Sequence, residues 1–179
     1  MKTLFQSIRA VLVLTVVTGF IYPLLVTATG RVLFARKANG SLVYEGDKLI
    51  GSELLAQKIE DARYFWPRPS AADYATVASG ASNQGPASAD LVKVIAERRA
   101  KFGADAPVDL LTASGSGLDP HLSPAAAFFQ AGRVAGARGV GVEKVRELIE
   151  RLIEQPQFGI FGEPRVNVFA LNRALDALP

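Results

Sequence analysis

The sequence predicts an α+β protein, with one N-terminal transmembrane helix followed by a single soluble α+β domain. Three observations carry that reading. Ala10 to Gly30 is an uncharged run of 21 residues set between Arg9 and Arg31. The chain after it is mixed in composition and has no second apolar run of that length. Within that remainder, helix-period stripes opened by hydroxyl caps alternate with aromatic, Pro-rich and Gly/Ser-rich segments that do not suit a helix. The organisation follows as a stub over residues 1–9, a membrane helix over 10–30 and a soluble domain over 31–179.

At ~1.5 Å rise per residue the uncharged run is about 32 Å long, close to the ~30 Å hydrocarbon thickness of a bilayer. Eleven of its residues are Val, Leu, Ile or Phe, each favouring insertion by roughly 0.3–0.6 kcal/mol. Gly19, Pro23 and four threonines offset only part of that. A secretory signal is the rival reading, since Val26 and Ala28 suit a cleavage site, but a signal core spans only about 7–15 residues. Charge leaves the orientation open. Lys2 and Arg9 flank one end, Arg31, Arg36, Lys37 and Lys48 follow the other, and long domains cross largely regardless of charge. Within the span, Thr15, Thr18, Gly19, Tyr22 and Thr29 recur at helical spacing and form a candidate packing face for a partner helix. Pro23 removes an N–H and frees the Gly19 carbonyl, which a neighbouring helix or a threonine hydroxyl would satisfy.

After the span, Ser41–Tyr44 and Lys48–Gly51 read as a hairpin around a three-residue loop, Glu45-Gly46-Asp47. Leu54–Ile59 reads as a helical turn. Tyr64-Phe65-Trp66 runs into Pro67-Arg68-Pro69-Ser70, and the prolines hold Arg68 extended. Tyr64 and Phe65 are expected to pack, with Trp66 partly exposed. Ala71–Ala87 is a structured loop with turn signals at Ser79-Gly80, Ser82-Asn83 and Gly85-Pro86. Ser88 caps a helix to about Phe102 with Leu91, Val94, Ile95 and Phe102 on one face. Val108–Thr112 reads as a buried strand. The turn from Ser114 to His121 leads into Ser123-Pro124, a cap followed by proline at the first helical position, and this helix ends at Gly139. Val142 to Ile153 forms an amphipathic helix closed by Pro156, and Asn167 caps a last helix bearing Val168, Leu171, Leu175 and Leu178.

Composition removes several classes of function. There is no cysteine, so neither disulfides nor thiolate chemistry are available. A formal charge of +3 spread along the chain makes no nucleic-acid patch. No G-x-x-x-x-G-K-[ST] loop, no Asp-Lys-Thr-Gly-Thr motif and no dense carboxylate set for Mg²⁺ occurs, so the chain is not expected to hydrolyse ATP unaided. Ser114 or Ser116 with Asp119 and the sole histidine, His121, supplies the residue types of a triad. The G-x-S-x-G elbow is broken, however, because Ser114 stands where its first glycine belongs. A lone histidine is too little for a metal site. The Gly/Ser turns and the arginine between prolines therefore read as partner contacts, with Arg68, Ser70, Ser114, Ser116, Asp119 and His121 as candidates.

These residues, taken in order, carry a family resemblance. They are Tyr22-Pro23-Leu24-Leu25, Ala38-Asn39-Gly40-Ser41-Leu42, Gly51-Ser52, Tyr64-Phe65, Arg68-Pro69-Ser70, Ser79-Gly80, Ser82-Asn83, Leu111 to His121, Gln130, Arg133-Val134-Ala135, Val166-Asn167-Val168 and Leu171-Asn172. The chain resembles the C subunit of the bacterial Kdp potassium-transporting P-type ATPase over nearly its whole length. The resemblance implies an inner-membrane, single-span subunit with its amino end in the cytoplasm and its domain outside, in the periplasm. It implies three companions: a channel-like potassium-translocating subunit, a P-type ATPase subunit that forms the aspartyl phosphate, and a small hydrophobic subunit. It further implies a role in assembly and stability, and as a catalytic chaperone that raises the ATP affinity of the hydrolysing subunit. ATP would then be engaged through that partner, with no cofactor held by this chain. The competing classes are a membrane-anchored or secreted serine hydrolase and an anchored binding module for an extracellular solute or protein.

Overall fold

The aliphatic N-terminal run forms one long helical rod, and none of it is buried by the rest of the chain. The computed structural model describes residues 1–178. The rod comprises α1 (Lys2–Val16), a π-helical turn (Val17–Ile21) and α2 (Tyr22–Leu33). Helix therefore extends beyond the uncharged run at both ends. The wide turn falls immediately before Pro23, where the Tyr22 N–H reaches back to the Val17 carbonyl. A proline with no N–H to give makes such a turn cheap. The regular register from which Pro23 was expected to free the Gly19 carbonyl is thus interrupted. The Thr18 hydroxyl donates to the Leu14 carbonyl at 2.7 Å instead.

The chain divides into two compact units, Met1–Ile50 and the residues from Gly51 onward. After the rod come a short α3 (Ala35–Ala38) and a hairpin of β1 (Leu42–Glu45) and β2 (Lys48–Ser52). The hairpin loop is Gly46-Asp47, two residues rather than the three expected. Gly46 takes φ +59° at the first central position, as a tight type II′ turn requires.

From Gly51 the expected turn of helix at Leu54–Ile59 is absent. The Leu54 N–H bonds to the Ser52 hydroxyl at 3.1 Å, and this local side-chain bond competes with helix. The chain then runs without regular structure through residues 56–61. After a turn at residues 62–64, residues 65–70 form neither helix nor strand, and the prolines favour extended backbone at Trp66 and Arg68. Five helices follow that segment along the chain. α4 (Ala89–Phe102) starts at Ser88, whose hydroxyl accepts from the Leu91 N–H. α5 (Val108–Leu111) is a single helical turn where a buried strand was expected. The Val-Asp-Leu-Leu run is apolar enough for either form. Pro107 starts the turn, and the Thr112 hydroxyl closes it by donating to the Val108 carbonyl at 3.0 Å.

α6 (Pro124–Arg138) begins at the Ser123 cap and ends at Gly139, which takes φ +69°. α7 (Val142–Arg151) stops two residues short of the expected Ile153. Ile153 instead enters a three-stranded antiparallel sheet of β3 (His121–Leu122), β4 (Ile153–Glu154) and β5 (Arg165–Asn167), in the order β3-β5-β4. Leu122 and Ile153 both register with Val166. Asn167 then accepts from the Ala170 N–H and opens α8 (Val168–Asp176). The core lies where the alanine-rich face of α6 meets Val145, Leu148 and Ile149 of α7 and Leu171 and Leu175 of α8. Small alanines let these helices approach closely.

Phe65 is fully buried in this core although its segment pairs with no strand. Side-chain amides supply the ladder. Asn172 accepts from the Phe65 N–H at 2.8 Å and donates to the Phe65 carbonyl at 3.0 Å. Gln130 does the same for Trp66, at 2.9 and 3.1 Å. Removing either amide leaves buried backbone groups unpaired, at about 1–3 kcal/mol each. Gln130→Ala and Asn172→Ala are each expected to lower thermal stability by at least that amount. A melting temperature equal to that of the parent chain would contradict the clamp.

Candidate functional site

The two Gly/Ser turns meet at the Pro-flanked arginine. The Arg68 Nη1 donates to the Asp119 Oδ2 at 3.1 Å, and the Asp119 Oδ1 accepts from the His121 N–H at 3.0 Å. The His121 Nδ1 lies 3.6 Å from the same oxygen. Burial alone would raise the Asp119 carboxyl, but the bonds from His121 and Arg68 outweigh it and hold the group below the usual carboxylate range. The Arg68 Nε is buried without a hydrogen-bond partner.

Ser70 organises the turn that follows. Its hydroxyl accepts from the N–H groups of Ala72 and Tyr74 at 3.2 and 3.0 Å. Tyr74 sits at φ +62°, an unusual conformation for a bulky residue. Its hydroxyl donates to the Arg68 carbonyl at 2.9 Å, and burial pushes its pKa up. Ser114 donates its N–H to the Pro69 carbonyl at 2.9 Å, while its hydroxyl is buried and unpartnered. The Ser79 hydroxyl donates to the Ser116 carbonyl. Gly117 takes φ +74°, and a Cβ there would stand 2.9 Å from the Gly80 carbonyl oxygen. Only glycine permits the two turns to approach so closely.

The six candidate residues of the soluble domain lie in these adjoining turns, where Arg68, Asp119 and His121 bond to one another. Arg68, expected to face a partner, is half-buried and tied to Asp119. The Ser116 hydroxyl accepts from the Leu118 N–H at 3.1 Å. The Ser114 hydroxyl has no hydrogen-bond partner and the Ser116 hydroxyl pairs with Leu118, so neither candidate serine is bonded to His121 as a triad requires. No group of three or more His, Cys, Asp or Glu forms a metal cluster among the described residues. In the span, Thr15, Thr18, Gly19, Tyr22 and Pro23 lie in or beside the π-helical turn. A Cβ on Gly19 would meet nothing closer than the Thr15 Cγ2 at 4.0 Å.

Beside this cluster, Trp66 is enclosed by charge. The Arg133 guanidinium lies 3.8 Å from its ring centroid and the Lys101 Nζ 4.8 Å, while Phe102 packs edge-on at 5.8 Å. Arg133 also donates to the carbonyls of Ala62 and Tyr64 and to Gln130, and burial lowers its pKa to about 10. Tyr64 is only half-buried, with Arg138 over its ring and its hydroxyl donating to Asp176 at 3.3 Å. A cleft of about 500 Å³ opens there between Arg63, Arg138, Val140 and Leu178. Arg138 is already committed to the carbonyls of Arg63 and Leu175 and to Asp176. Gln130, Arg133 and Asn172 stand out in the sequence only through the family resemblance, without a structural role. The available signal was a polar amide on an otherwise apolar helix face.

The sequence matches the family described as KdpC, K+-transporting ATPase, c chain, over residues 4–177, a range that takes in both the rod and the soluble domain. The chain belongs to this KdpC family. A Potassium-transporting ATPase KdpC subunit from Methylococcus capsulatus is 53% identical over 182 residues, covering 96% of each chain. One from Polynucleobacter asymbioticus is 50% identical, covering 98% of this chain and 99% of the relative. One from Cereibacter sphaeroides is 47% identical, covering 99% and 98%. The KdpC assignment makes the chain a component of a potassium-transport complex, and its N-terminal rod makes it a membrane protein.

The Asp119 network has a pH signature. A carboxyl held below its ordinary value in the fold stabilises fully above the unfolded pKa of about 3.9, and the stabilisation is lost as pH falls through the lower folded value. Asp119→Asn is expected to flatten this part of the acid limb in a pH series of thermal melts. An acid limb identical to that of the parent chain would contradict the network.

Proposed function

We propose that this KdpC-family chain is a non-catalytic, single-span accessory subunit of an ATP-driven potassium-uptake complex. Its amino-terminal stub lies in the cytoplasm and its soluble domain outside. Its companions are a channel-like potassium-translocating subunit, a P-type ATPase subunit and a small hydrophobic subunit. The family match across both rod and domain is the observation that carries this reading. The chemistry agrees with it. The hydroxyls of Ser79 and Ser116 and the carboxylate of Asp119 are engaged in holding the turns together, which suits a docking body better than a reaction centre.

An external domain cannot touch a nucleotide bound on the cytoplasmic side, so any chaperone-like effect on ATP affinity passes through the rod. The irregular turn at Val17–Ile21 gives the rod a locally adaptable segment. The face of Thr15, Thr18, Gly19 and Tyr22 is the proposed contact with a companion helix.

Purifying the tagged chain from mild detergent tests the proposal. Large integral-membrane companions are expected with it, with potassium-dependent ATP hydrolysis only in their presence. Gly19→Leu, which has room within its own helix, is expected to weaken their retention. A stable monomer with hydrolytic activity, or unchanged retention after Gly19→Leu, would overturn the accessory role or the packing face respectively.

A further inference from the structure

Between β4 and β5 the chain makes a tip whose apolar side chains find no place in the core. Phe158, Ile160 and Phe161 are 81%, 77% and 65% exposed. Residues 155–162 carry no charge. Three exposed large side chains in four consecutive residues form a patch, unlike the scattered apolar residues of an ordinary surface.

The tip is also built to hold one shape. The Gln157 N–H donates to the Phe161 carbonyl at 2.9 Å, and the Phe161 N–H returns to the Gln157 carbonyl at 3.0 Å. The Gly159 N–H closes on the Pro156 carbonyl at 2.9 Å. Phe158 takes φ +56°, between Gln157 and a Gly159 at φ +73°. A left-handed conformation is costly for phenylalanine. Here it turns an aromatic ring outward, although a glycine or asparagine would close the turn more cheaply.

We infer that this tip is a docking element that inserts into an apolar recess on an integral-membrane companion of the same complex. Two observations favour a protein over the lipid surface. Lipid offers a fluid solvent that requires no fixed shape, whereas a recess rewards a preorganised one. The charges that flank the tip in sequence are Glu154, Glu163 and Arg165, and Arg165 is already paired with Glu154 at 3.0 Å. Such a set lacks the basic excess that attracts anionic headgroups. An apolar centre with a polar rim is the usual anatomy of a protein interface. The covalent span holds the domain near any companion in the same membrane, so a small contact suffices.

This inference rests on the subunit reading, and the experiment separates the two. Photo-reactive benzoylphenylalanine is placed at position 160 of the full-length tagged chain, membranes are irradiated, and the adduct in the purified complex is identified by mass. A covalent adduct with a multi-span subunit is expected. An adduct with lipid or with a second copy, or no adduct while companions still co-purify, overturns the tip and leaves the subunit reading standing. Absence of companions overturns both.

A second variant guards against misfolding. Phe158→Asn with Ile160→Ser keeps the left-handed turn and leaves the core untouched, so its melting temperature is expected to match the parent. Retention of the companion is expected to fall about tenfold or more, as when exposed anchors carry a contact. Retention equal to the parent overturns the proposal.

Discussion

A strand without a sheet holds this domain together. Phe65 and Trp66 run extended through the interior, and their backbone groups are taken by the amides of Asn172 and Gln130. Buried peptide groups left unpaired are expensive, and an amide side chain is one of the few groups that can match both halves of a peptide bond. Because Gln130 stands on α6 and Asn172 on α8, the extended segment ties two helices that are far apart in sequence. Arg133 reinforces the tie by reaching the carbonyls of Ala62 and Tyr64.

From that clamp the rest of the domain can be traced. Pro67, Arg68 and Pro69 continue the extended path to the Gly/Ser turns. There the Pro69 carbonyl anchors Ser114 and the Arg68 guanidinium anchors Asp119. The position of the turns is therefore inherited from the clamp. Their close approach is set by Gly80 and Gly117. The Arg68 guanidinium and the Asp119 carboxylate are paired within the domain, and the contacts proposed for a partner are the exposed tip at Phe158–Phe161 and the rod. Such a chain fits the proposed role of holding other subunits in place.

Much of this was legible in the sequence, for physical reasons that differ by element. Ser88, Ser123 and Asn167 announced their helices because capping is a local bond, and Gly139 announced an end because few other residues accept its conformation. The membrane rod was legible from its uncharged length. The single turn at Val108–Leu111 was read as a strand because a four-residue apolar run has no period to distinguish the two. β3 and β4, two residues each, were invisible because their pairing with β5 is a long-range event. Ile153 was claimed by the helix pattern before it and lost to that pairing.

The candidate site was legible as a collection and not as a network. Serine, arginine, aspartate and histidine stood out by type, but Arg68 and Asp119 are 51 residues apart, and nothing local declares that they pair. The clamp was missed for a similar reason. Gln130 and Phe65 declare their need for one another only in three dimensions, although an amide on an apolar helix face already demands a partner.

Native-state hydrogen exchange of the assembled chain tests the clamp most directly. The amide protons of Phe65 and Trp66 are expected to exchange only by global unfolding, as slowly as the slowest protons of α6 and α8. Exchange of those two amides at the rate of the surrounding loops would contradict the account.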